Sequence, residues 1–107
     1  MWFWLAGAIA AEVTGTVALR FSEGFTRLVP SVIVVLGYGT AFYGLSRALA
    51  DGMPLGVAYG VWAAAGVALI ALIGAAFLGE GLTWIQVGGI VLVIAGVLAL
   101  ELGAARA

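Results

Sequence analysis

Four long apolar runs, cut apart by three short polar breaks, leave this chain few folds to choose from. The runs cover residues 2–19, 29–50, 55–78 and 84–104. Coiled as helices at about 1.5 Å per residue, each is long enough to cross a hydrocarbon core of about 30 Å. Lipid offers no hydrogen bonds, so a spanning segment must satisfy its own backbone, and a helix does that. The expected fold is therefore an all-α membrane protein with four transmembrane helices, residues 1–107 forming a single domain. The breaks carry the punctuation such helices need. Pro30 and Pro54 sit where a first helical turn tolerates proline, Asp51-Gly52 and Gly79-Glu80-Gly81 end helices, and Thr83 with Gln86 forms a capping box. Connections this short make successive helices antiparallel.

Composition narrows the chemistry. Only 8% of the residues are charged and 65% are hydrophobic, with a mean hydropathy of +1.27. A soluble domain carries about a quarter charged residues, so this chain belongs in a bilayer. Cys and His are both absent, which excludes disulfides, thiol chemistry and His/Cys metal sites. A net charge of −1 without a basic stripe excludes nucleic acid as a partner. No cofactor motif is present, and an enzyme is not expected. The first run is not read as a signal peptide, because it lacks a charged n-region and holds an acid in its apolar stretch.

That acid is Glu12. Eight of the nine charged residues lie in the breaks or near helix ends, where Arg47 and Glu101 reach outward along their stems. Glu12 alone is deep. A lone ionisable group at that depth costs several kcal/mol unless it lines a cavity or takes up a proton. The proton is accordingly the first expected partner. Leu5, Ala8, Ile9, Gly15, Thr16 and Leu19 share its helix face. Small residues there serve close helix packing, or else leave room beside the acid for a cation.

Aromatic residues extend the candidate site. Tyr38 and Phe42 are four apart in the second run, and Tyr59 and Trp62 three apart in the third, so each pair shares a face. Desolvated aromatic faces attract cations by about 0.5–2 kcal/mol each, and quaternary ammonium is the well-attested ligand of such cages. Ordinary aromatic packing is the alternative for each ring taken singly; together with one buried acid, the set points to lipophilic cations. Trp2, Trp4 and Trp84 read as interfacial anchors. The fourth run has no polar group between Gln86 and Glu101 but carries Gly89 and Gly96 on one stripe, an expected assembly face. Gly66, after three alanines, is either a bend or a packing glycine.

With four spans, Arg47 and Arg106 fall on one side of the membrane and Arg20 and Arg27 on the other. Two against two gives the positive-inside rule nothing to act on. Either the charges are too few to count, or the chain inserts both ways up and pairs with itself antiparallel.

These residues together resemble the small multidrug resistance family, in particular its branch that exports quaternary ammonium compounds. The resemblance is carried by Ala11-Glu12-Val13 with Gly15-Thr16, by Phe21-Ser22-Glu23-Gly24-Phe25-Thr26-Arg27-Leu28 followed by Pro30-Ser31, by Gly56-Val57-Ala58-Tyr59-Gly60-Val61-Trp62, and by the stretch from Gly89 to Val97. It covers nearly the whole chain. It implies an antiparallel, dual-topology homodimer in a bacterial inner membrane. It further implies that Glu12 from both subunits binds either protons or a cationic drug, that Tyr38, Tyr59 and Trp62 line the site, and that Gly89 and Gly96 hold the dimer. The expected function is proton-coupled antiport of hydrophobic cations. The guanidinium-exporting branch, the nearest alternative, usually has Trp where this chain has Gly15. Departures from the family pattern are a longer Asp51-Gly52-Met53-Pro54 loop, the charges Arg47 and Glu101, and Ala64 at a frequent hinge glycine. Two other classes fit the residues less well. A proton-carrying proteolipid subunit usually has one hairpin with its acid in the second helix, and a member of an obligate heteromeric pair should carry a clear charge bias.

Overall fold

The structure, a computed structural model, describes residues 1–106, with side chains described through Gly103. The Arg106 side chain of the charge tally and Ala107 lie outside the described residues. Four helices follow in order: α1 (Trp2–Phe21), α2 (Leu28–Ala50), α3 (Leu55–Phe77) and α4 (Trp84–Arg106). Each is long and apolar enough to cross a membrane. The chain is an all-α protein with four membrane-spanning helices. The helices depart from the expected bounds by one or two residues at several ends, notably α1, which carries Arg20 and Phe21 in its last turn.

Punctuation works as expected. Thr83 and Gln86 cap α4 reciprocally, Thr83 N–H donating to Gln86 Oε1 at 2.9 Å and Gln86 N–H to Thr83 Oγ1 at 3.2 Å. Pro54 is the N-cap of α3 and Gly52 turns the chain with φ +102°. At the other end of α3, Gly79 takes φ +69°, so that the Glu80 amide returns to the Gly74 carbonyl at 3.1 Å. The α1–α2 connection is tighter than its sequence suggests. Ser22 is fully buried and its carbonyl accepts the amides of Thr26 and Arg27, while Glu23, Gly24 and Phe25 all have positive φ. Two of those three are not glycine, and such strain costs about 1–2 kcal/mol per residue. The Ser22 side chain offsets it by donating to Leu19 O at 2.7 Å and accepting from Phe25 N–H at 3.2 Å.

The chain divides into two compact units, Met1–Gly52 and Met53–Ala107. In the first, α1 and α2 run antiparallel in close contact. Gly37 faces Gly15, and Gly44 faces Ala8. A Cβ on Gly37 would sit 2.8 Å from Ala11 O, and one on Gly44 2.9 Å from Trp4 O. Small residues seven apart on each helix thus bring two backbones together, which is how helices associate where lipid cancels any hydrophobic drive. At the open end of this hairpin the Arg47 guanidinium lies 5.1 Å from the Trp4 ring centroid, and Tyr43 meets the same ring edge-on at 5.9 Å.

In the second unit α3 and α4 are antiparallel and looser. A Cβ on Gly60 would meet only side-chain atoms, Leu100 Cδ1 at 3.0 Å and Val97 Cγ2 at 3.6 Å. Apolar residues such as Ala64, Ala68, Ile94 and Leu98 line a groove between the two helices. No described residue of α4 is buried. Large apolar side chains are exposed on every helix, among them Leu28, Leu72 and Leu92, which suits a surface bathed in acyl chains.

Candidate functional site

Glu12 sits near the middle of α1, on the side that meets α2. One turn further on, Thr16 Oγ1 donates to Glu12 Oε1 at 2.9 Å. The same hydroxyl is 2.7 Å from the phenol oxygen of Tyr38, across on α2. Carboxyl, threonine and tyrosine therefore form a continuous chain of hydrogen bonds between the helices. Thr16 has a single proton and spends it on the carboxylate, so Tyr38 is the donor to Thr16 in this arrangement. The second carboxyl oxygen differs sharply. Glu12 Oε2 is buried and meets no donor among the described residues. The residue as a whole is half-buried, and this one oxygen is enclosed. Leaving such an atom unsatisfied costs about 1–3 kcal/mol, and more when charged. A buried polar atom without a partner calls for a functional explanation.

Gly15 and Ala8 flank the acid but do not open space beside it here. Ala8 is buried beneath Gly44, and a Cβ on Gly15 would be in ordinary contact with Val34 O at 3.5 Å and Tyr38 Cδ1 at 3.6 Å. The small size of Gly15 lets Tyr38 approach the adjacent Thr16, while Ala8 lets Gly44 close on α1. Phe42 is exposed, one turn beyond Tyr38. On the opposite face of α1, a groove between α1 and α2 takes in Ala10, Thr14, Leu36 and Thr40. Its Thr14 hydroxyl is already donated to Ala10 O at 2.8 Å.

Tyr59 and Trp62 belong to the other unit. Their rings meet edge-to-face with centroids 6.1 Å apart. Trp62 is buried, while Tyr59 is 64% exposed. Gly89 and Gly96 are exposed, and a Cβ on either would meet nothing within 4 Å. Among the described residues no acidic cluster could hold a metal ion.

Sequence reasoning chose Glu12, Thr16 and Tyr38 one by one but did not see that Thr16 joins the other two. It also passed over Gly37 and Gly44, whose spacing of seven mirrors that of Ala8 and Gly15. That mirrored spacing was a signal available in the sequence.

Comparison with known proteins decides the family. The family described as Small Multidrug Resistance protein matches residues 1–93. The chain belongs to the small multidrug resistance family. Among its relatives, the Quaternary ammonium compound-resistance protein QacF of Klebsiella aerogenes is 50% identical over 94% of this chain and 91% of its own length. The Multidrug transporter EmrE of Escherichia coli (strain K12) is 44% identical over the same shares. The Multidrug resistance protein mmr of Mycolicibacterium paratuberculosis (strain ATCC BAA-968 / K-10) is 45% identical over 98% of each chain. With four spanning helices and these bacterial relatives, this family member is a multi-pass protein of the bacterial inner membrane.

Proposed function

We propose that the protein is a proton-coupled antiporter that exports hydrophobic and quaternary ammonium cations. The observation that carries this reading is Glu12 Oε2, a buried carboxyl oxygen with no donor in a chain poor in charge. A cation or a proton satisfies a carboxyl so placed, and a carboxyl that has taken a proton no longer attracts the cation. Competition at one group is sufficient to couple the two fluxes. The names of the relatives, a quaternary ammonium compound-resistance protein and a multidrug transporter, support the choice of cargo. Gly15, in place of the bulky residue usual in the guanidinium-exporting branch, supports the drug-type reading.

In the proposed site Tyr38 and Phe42 are the aromatic contacts near the acid, with Ala8, Gly15 and Thr16 beside it, and Tyr59 with Trp62 is the proposed aromatic contact of the second unit. The transporting unit is an antiparallel homodimer joined through Gly89 and Gly96. Exchange of roles between its two subunits supplies two states of similar energy, as alternating access requires. The test uses the purified protein in vesicles. Glu12→Gln should abolish both pH-driven uptake of tetraphenylphosphonium and the release of protons when that cation binds. Coupled uptake that survives in Glu12→Gln would remove the basis of the proposal.

A further inference from the structure

The two oxygens of Glu12 have different surroundings, and the difference has a chemical consequence. Oε1 accepts from Thr16, which in turn pairs with Tyr38; Oε2 is buried without a donor. When the carboxyl is charged, its lone electron pairs at Oε2 face nothing that satisfies them. When it is neutral, its new proton needs an acceptor. Oε2 has no hydrogen-bond partner among the described residues, and buried donors left orphaned are rarer than under-satisfied carbonyl oxygens. On Oε1 the proton finds the Thr16 oxygen at 2.9 Å. Thr16 then cannot donate back to Glu12 and turns its own proton toward the Tyr38 oxygen, 2.7 Å away. Tyr38, now an acceptor, has its phenol proton free to point elsewhere.

We propose that Thr16 and Tyr38 form a reversible hydroxyl relay that places the proton on Glu12 Oε1. The proton comes from a hydronium ion on the Tyr38 side. It bonds to the phenol oxygen as the Tyr38 proton passes to Thr16 Oγ1 and the Thr16 proton passes to Glu12 Oε1. One O–H bond breaks and one forms at each hydroxyl, and the single net change is a neutral carboxyl. The end state is the reversed chain described above, so the donor or acceptor state of Tyr38 reports the charge of Glu12. Thr16 itself carries the proton between Tyr38 and Glu12. Tyr38 is the titratable group that α2 presents to this chain. The other charged groups on the two helices are Arg20, about two turns from Glu12 and one turn beyond Thr16 on α1, and Arg47, more than two turns from Tyr38 on α2.

The inference rests on Glu12 as the shared proton and cation site, and its test separates the two ideas. The full-length protein carries three tyrosines. With tyrosine labelled at the ring carbon that bears the hydroxyl, the Tyr38 resonance is identified by its loss in Tyr38→Phe. In the wild type it should shift with pH, in step with proton release on tetraphenylphosphonium binding. In Glu12→Gln and in Thr16→Val it should stop responding. Thr16→Val should also lower the rate of pH-driven uptake roughly tenfold, the scale of one lost hydrogen bond to a charged group. That loss should fall more on turnover than on affinity, and Thr16→Ser should restore it. A Tyr38 resonance that ignores pH in the wild type, or one that still responds in Thr16→Val, would overturn the relay. If Glu12→Gln keeps coupled uptake, the antiporter reading fails. If Glu12→Gln is inactive but Thr16→Val and Thr16→Ser both transport like the wild type, the relay alone fails.

Discussion

Glu12 shows how little chemistry a membrane protein needs to present a candidate site. The residue is one of nine charged groups in the chain, and its depth is what sets it apart. Thr16, itself bonded to Tyr38, donates to one of its oxygens, and the other is buried without a donor among the described residues. Trp62 and Tyr59 show a different economy, one ring buried and locked edge-on against another that stays accessible. If these rings receive the cation, Trp62→Ala should weaken binding of tetraphenylphosphonium by about tenfold, near the upper range of a desolvated cation–π contact plus lost ring area. Small ammonium ions, which cover less ring, should lose less. Calorimetric titration of both ligands decides this, and an equal loss for both would assign Trp62 to packing.

At the scale of elements, glycine has two separate uses. Gly37 and Gly44 are closed in by the backbone of α1, and a methyl group at either position meets a carbonyl oxygen at under 3 Å. Gly37→Ala should therefore force α1 and α2 apart and destabilise the hairpin by about 1–3 kcal/mol, which a shift in detergent unfolding would measure. Gly89 and Gly96 have open space where a side chain would grow. The first carbon added in Gly96→Val meets no described residue of its own chain, so this variant tests a partner contact more directly than a change at Gly37 would. The expected outcome is loss of dimer in cross-linking or analytical sedimentation with the monomer still helical. A fully dimeric Gly96→Val protein would place the assembly face elsewhere.

For the molecule as a whole, the balanced arginines suggest a chain that enters the membrane in both orientations. Arg20 and Arg27 offset Arg47 and Arg106, and no other basic residue breaks the tie. Adding two lysines after the C-terminus should tip every copy one way. Resistance conferred on cells should then fall sharply, because an antiparallel dimer needs both orientations. Co-expression with a variant biased the opposite way should restore it. Finding C-terminal tags on a single side of the membrane in active wild-type cells would refute the antiparallel dimer.

Much of this was written in the local order of residues. Run length and apolarity alone require four spanning helices, since lipid leaves the backbone no other way to satisfy itself, and the helix ends at Pro54, Gly79 and Thr83 follow from side-chain and backbone chemistry within a few residues. The isolation of Glu12 is likewise a property of its neighbours in sequence. Periodicity says which residues share a face, but not which helix that face meets or how near it comes. Only the packed structure decided that Ala8 and Gly15 close against α2 while Gly89 and Gly96 stay open. Only packing, too, brought Tyr38 within reach of Thr16, because a hydrogen bond across 22 residues depends on an interhelical distance that Gly15 and Gly37 together set.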